Sequence, residues 1–259
     1  MNGSRVNPNI QLDIFCDYDI VCFVQDLEKY VSDQLWIASF GDLVIMQSNR
    51  DDDFPESAIV FLMQFADGVR IDLSFATLDR ITAILEDSLT VVLLDKDECL
   101  PPIPAPNESS YITKAPTQAE YDQTVNEFWW VSTYVAKGLW RNEPVYAKSA
   151  YVIVQECLNK MINWYLAMQH DWQINTGKYG KKFGKLLPSD LWQELLSTYA
   201  GSDEQENWQA LMNASQLMRK LSIQVAENLG YSYPMEDDRR VTLYLQKVRS
   251  LYQDAQSFD

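Results

Sequence analysis

Five prolines within residues 100–116, Pro101, Pro102, Pro104, Pro106 and Pro116, constrain this chain more than any other feature. Each fixes its own φ and lacks an N–H donor, so no regular helix crosses the stretch. Asn107, Ser109 and Ser110 within it favour turns. The segment therefore reads as a linker that separates residues 1–110 from residues 117–259. The two sides carry different hydrophobic periods. Ahead of the linker, residues 19–24, 43–47, 59–65, 69–75 and 90–94 are short runs rich in Val, Ile, Leu and Phe, which predict strands. Asp67-Gly68 lies between two of them as a type I′ turn signal, so an antiparallel hairpin is expected there. Helical spacing at residues 27–32 and 78–85 places helices over one sheet face. Beyond the linker the pattern predicts long helices at 118–137, 144–169, 189–199, 203–228 and 237–256. Thr117 and Glu120 form a capping box at the first of these, Ser202 and Gln205 another at the fourth, which ends before Gly230. The expected fold class is α+β: a mixed sheet with helices on one face, followed by a helical bundle.

With 259 residues the chain is long enough for two such cores. Its 37 acidic and 21 basic residues give a net charge of −16, which disfavours nucleic acid and anionic membrane as partners. A cationic small substrate would be attracted, although solubility alone is served by the same charge. Cys16, Cys22, Cys99 and Cys157 form no C-x-x-C pair, as expected of reduced thiols in a cytoplasmic protein without a structural zinc. The single histidine, His170, falls at the end of a helical pattern, where capping is its expected role. No apolar run approaches the roughly 20 residues that span a bilayer, and no secretory leader pattern opens the chain, so a soluble cytoplasmic protein is expected. Oligomeric state is not encoded in any of these features.

The residues that carry chemistry lie near the start. Asp17 and Asp19, at i and i+2 ahead of the apolar run 20–24, point to one face of a strand. Their repulsion is unfavourable unless a cation lies between them, and hard oxygen donors suit Mg²⁺. Asp72 stands inside the apolar run 69–75, where a carboxylate is costly unless paired or bound to metal. It is expected to line the same site. Gly3 lets the backbone approach a phosphate and Ser4 can donate to it.

Gly-Ser, then D-x-D about a dozen residues on, then a single Asp in a later strand resembles the signature of the nucleotidyltransferase superfamily that includes DNA polymerase beta. Asn2-Gly3-Ser4-Arg5-Val6-Asn7-Pro8, Phe15-Cys16-Asp17-Tyr18-Asp19, Trp36-Ile37 and Asp67-Gly68-Val69-Arg70-Ile71-Asp72-Leu73 resemble the aminoglycoside 6-adenylyltransferases more closely. So do Trp140-Arg141-Asn142-Glu143 and Asn175-Thr176-Gly177-Lys178-Tyr179-Gly180-Lys181. The resemblance implies transfer of AMP from ATP to a hydroxyl of a streptomycin-type aminoglycoside, with in-line attack at the α-phosphorus. It implies Asp17, Asp19 and Asp72 as metal ligands for Mg²⁺, with Asp72 also the general base. Gly3 and Ser4 would cradle phosphate, and Arg5 either assists or pairs with a surface acid. The helical domain would close over the nucleotide, with Lys148 and Lys178 reaching phosphate or standing as solvated charges. Lys181 and Lys182 share the latter's glycine-rich loop, whose spacing is not that of a Walker A loop. Family members carry a helix and a core strand ahead of the Asn2-Arg5 segment, so by comparison this chain looks shortened at its N terminus, with a weakened sheet expected.

Overall fold

The computed structural model describes residues 1–258, which fall into two compact units, Met1–Ser110 and Tyr111–Asp259. The first holds a four-stranded mixed sheet. Its strands are β1 (Tyr18–Val24), β2 (Leu43–Arg50), β3 (Ala58–Phe65) and β4 (Arg70–Thr77), in the order β1-β4-β3-β2. β1 runs parallel to β4, and the other two pairings are antiparallel. Strand periodicity decides which face is covered. Along β3, Ile59, Phe61, Met63 and Phe65 are buried, while the residues between them are half-buried. Together with Leu73 and Phe75 of β4 they form one apolar face. Helix α1 (Glu28–Ser32) and the 3-10 segment Leu35–Phe40 pack on it: Tyr30 stacks on Phe75 at 4.3 Å between ring centroids, and Trp36 meets Phe61 and Phe75 edge-on. A 3-10 turn, Leu78–Arg80, and α2 (Ile81–Leu85) follow β4.

The β3–β4 hairpin forms as the sequence predicts, but its turn differs. Gly68 N–H donates to the Phe65 carbonyl at 3.1 Å and Phe65 N–H to the Val69 carbonyl at 2.9 Å. Gly68 has φ +89°, whereas Asp67 is not left-handed. This is a three-residue loop, a type I turn closed by a glycine bulge, and the Asp67 carboxylate stabilises it by accepting from Val69 N–H at 3.0 Å.

Residues 90–94 are not a strand. Only Thr90 makes a bridge, with Asn2, which also bridges Asp19 of β1. Leu93 and Leu94 are exposed and line, with residues 20–24 of β1, a groove of about 520 Å³. An apolar, β-branched run forms a strand only where a neighbouring backbone completes its ladder, and among the described residues that ladder stops after Met1 and Asn2.

The second unit is helical: α3 (Gln118–Trp140), α4 (Pro144–Gln169), α5 (Phe183–Leu186), α6 (Ser189–Leu196), α7 (Glu204–Leu229) and α8 (Met235–Ser250). Thr117 and Glu120 form the expected capping box, and Gly230 ends α7 in a left-handed conformation with φ +72°. The second expected box is displaced: Asp203, not Ser202, caps α7, its carboxylate accepting from Glu206 N–H at 2.9 Å. His170 is the C-cap residue of α4. Trp129, Trp164 and Trp208 are buried in the bundle core. No helix among the described residues is long and apolar enough to cross a membrane.

One charged group lies inside this bundle. Asp238, in the first turn of α8, is only 1% exposed and accepts a bidentate pair of hydrogen bonds from Arg219 of α7. Tyr233 and Thr242 hydroxyls complete its shell, and burial pushes the Tyr233 phenol well above its usual range. Asp238→Ala leaves a guanidinium and two hydroxyls without their acceptor. Arg219 is about one-third exposed, so the loss falls at the lower end for breaking a buried pair, about 3 kcal/mol. That corresponds to a melting temperature lower by about 6–12 °C, read by far-ultraviolet circular dichroism. An unchanged melting curve would mean that the pair adds nothing net to the bundle.

Candidate functional site

The open face of the sheet carries the acids. β1 and β4 pair with Asp19 beside Asp72, and Asp17, one residue ahead of β1, turns its carboxylate toward the same pair. One oxygen from each lies within 4.8 Å of the others. The Asp17 side chain is 32% exposed and that of Asp72 15%, enough to be reached from solvent. The expected trio is therefore brought together.

Three carboxylates this close need positive charge. Arg70, two residues before Asp72 on the same face of β4, supplies it. Its Nε donates to Asp72 Oδ1 and its Nη2 to Asp72 Oδ2, both at 2.8 Å, and Nε stands 3.9 Å from Asp17 Oδ2. The bidentate bond raises the guanidinium pKa further above its already high value. Sequence reading passed over Arg70, although the R-x-D spacing on a strand was its signal.

The loop leading to Asp17 is held from behind. Arg5 donates through Nε to the Asp17 carbonyl at 3.0 Å and through Nη2 to the Cys16 carbonyl at 2.8 Å, and it stacks over the Tyr18 ring at 3.5 Å. Arg5 thus pairs with main-chain carbonyls and an aromatic face, not with a surface acid. Gly3, with φ +72°, passes so close to Asp19 that a Cβ there would lie 2.3 Å from Asp19 Oδ2. Ser4 Oγ, on the residue that follows Gly3, is buried and has no hydrogen-bond partner. Hard oxygen donors converging beside a close backbone approach fit Mg²⁺, which retains part of its coordination sphere for phosphate oxygens.

In the helical unit, Lys148 Nζ donates to the Ala200 carbonyl at 2.8 Å, and burial lowers its pKa. Lys178 is exposed in the loop after α4. Lys182 donates to the Asn175 carbonyl at 2.9 Å, and Lys181 is exposed.

A mixed sheet that presents D-x-D at the entry to one strand and a third Asp on its parallel neighbour, with a Gly-Ser turn against them, defines a nucleotidyltransferase. Comparison with known proteins narrows the class. Residues 1–248 match the family model described as streptomycin adenylyltransferase. An aminoglycoside 6-adenylyltransferase of Bacillus subtilis (strain 168) is 37% identical over 255 residues, covering 96% of this chain and 89% of the relative. One from Campylobacter jejuni is 35% identical over 257 residues, covering 97% and 89%, and one from Staphylococcus aureus is 33% identical over 241 residues, covering 90% and 86%. The crystal structure of an aminoglycoside 6-adenyltransferase from Bacillus subtilis superposes with a TM-score of 0.53 at 34% identity, covering 91% of this chain and 89% of that one. The chain belongs to the streptomycin adenylyltransferase family of nucleotidyltransferase enzymes.

Proposed function

We propose that this protein transfers AMP from ATP to a hydroxyl of a streptomycin-type aminoglycoside, at position 6, in a Mg²⁺-dependent reaction. The observation that carries the reading is the convergence of Asp17, Asp19 and Asp72 within 4.8 Å on the open sheet face. Three relatives named aminoglycoside 6-adenylyltransferase support the acceptor. Asp17 and Asp19, with Asp72, would hold Mg²⁺, which when bound neutralises charge on the triphosphate. Gly3 and Ser4 would cradle a phosphate group, Ser4 through its unpartnered hydroxyl. Asp72 accepts the proton of the attacking hydroxyl, and the bidentate Arg70 holds its carboxylate in one orientation beforehand. Arg5 acts here as a positioning residue that fixes the carbonyls flanking Asp17. Lys148 and Lys178 are proposed to reach the triphosphate from the helical domain. Residues 1–110 would carry the chemistry, and residues 117–259 would close over the nucleotide and hold the acceptor. The net charge of −16 favours a polycationic acceptor over nucleic acid. The four unbridged thiols and the need for ATP fit work in the cytoplasm.

The test is mass spectrometry of streptomycin after incubation with the protein, ATP and Mg²⁺. One added AMP is expected, with none when Mg²⁺ is chelated. Unmodified streptomycin, with AMP appearing on another aminoglycoside, would overturn the acceptor but not the chemistry.

A further inference from the structure

We propose that the helical unit carries its own binding site for a polyphosphate anion, in a recess built from the segment before α3, the middle of α4 and the loop around Gly177. The recess has a volume of about 360 Å³ and is lined by Lys114, Lys160 and Lys178 from three separate stretches of chain. In a protein of net charge −16, three ammonium groups around one cavity are an unusual concentration of positive charge. Among the described residues, none of the three forms an ion pair within 4.0 Å. Lys160 lies 5.0 Å over the Trp164 ring, which orients the ammonium without neutralising it. Glu120, the carboxylate that feels the Lys160 charge, is held by Thr117 in the α3 capping box.

The walls are fixed in advance. Thr113 and Thr176 hydroxyls meet at 2.8 Å, Thr113 N–H donates to the Ile174 carbonyl at 2.9 Å, and Gly177 N–H donates to Asn175 Oδ1 at 2.9 Å. Gly177 has φ +80°, and a Cβ there would stand 3.2 Å from Lys182 Cγ, so the loop keeps this course only with glycine. At the α4 wall, Asn163 Oδ1 is buried without a hydrogen-bond partner, an acceptor left for a ligand hydroxyl or a bridging water. A rigid recess with three unpaired ammonium groups selects an anion with several charged oxygens spaced along a chain, as in pyrophosphate or the triphosphate of a nucleotide. The anion chemistry stands on these residues alone, whereas naming the donor nucleotide as its source rests on the AMP-transfer reading.

Isothermal titration of the full chain with pyrophosphate, and separately with ATP, tests the site. Wild-type protein is expected to bind pyrophosphate, and Lys114→Met/Lys178→Met to bind it about tenfold more weakly, the sum of two exposed charge contacts. The Lys29→Met variant should bind pyrophosphate as the wild type does, because its ammonium belongs to the other unit and lies outside the recess. If ATP competes with pyrophosphate and weakens in the same lysine variant, the triphosphate is the source. If only pyrophosphate weakens, the site takes free pyrophosphate. Pyrophosphate affinity unchanged in the lysine variant, with its circular dichroism native, would overturn the site. That result leaves AMP transfer to streptomycin untouched. Conversely, lysine-dependent pyrophosphate binding in a protein that modifies no aminoglycoside would overturn the reaction and keep the site.

Discussion

Asp72→Asn is expected to lower turnover by about two orders of magnitude or more while ATP affinity stays within a few-fold of wild type, the scale for losing a general base. Asparagine matches the shape of aspartate but cannot take a proton. It also replaces one acceptor oxygen facing Arg70 with an amide, so one of the two 2.8 Å bonds that orient the side chain is lost. Steady-state kinetics with streptomycin and Mg·ATP separates the two quantities, and equilibrium titration with ATP checks that the nucleotide still binds. A variant that turns over like the wild type would remove Asp72 as the base and leave it a ligand only.

Gly3→Ala tests the close approach of backbone to carboxylate. The new methyl would lie 2.3 Å from Asp19 Oδ2, and alanine at φ +72° is itself strained by about 1–2 kcal/mol. Relief requires either the Asn2-Gly3 backbone or the Asp19 side chain to shift by about an ångström, a displacement that can cost on the order of 100-fold in rate. Turnover should fall accordingly, and the Mg²⁺ concentration for half-maximal rate should rise because Asp19 is turned from its partners. The Gly68→Ala variant is a control, since Gly68 also has positive φ but has nothing within 4 Å of its Cβ position. Equal losses in both variants would mean that backbone strain, not contact with Asp19, sets the effect.

Much of the site was legible in the sequence because strand geometry is local. Alternation alone puts Asp17 and Asp19 on one face, and an acid inside the apolar run of β4 announces itself through the cost of burying it. The Thr117–Glu120 box and the long bundle helices were legible for the same reason, since capping and helical periodicity act over three or four residues. The α4 bounds, Pro144–Gln169, coincide with the predicted ones.

Other features were set at longer range. Nothing within residues 67–68 distinguishes a two-residue turn from the three-residue loop that forms, because the choice lies in how the strands on either side twist and pair. Residues 90–94 have strand composition yet pair only at Thr90 and Val91, with Asn2 and Met1, since a strand is a property of two backbones and not of one. The parallel alignment of β1 with β4 joins residues more than 50 positions apart, so only the folded sheet could set Asp19 beside Asp72 and bring Arg70 between Asp72 and Asp17. The sequence determined which side chains carry charge and which way each faces on its own strand. The tertiary structure decided which of them meet, because pairing between distant strands depends on the packing of the whole sheet and on no local preference.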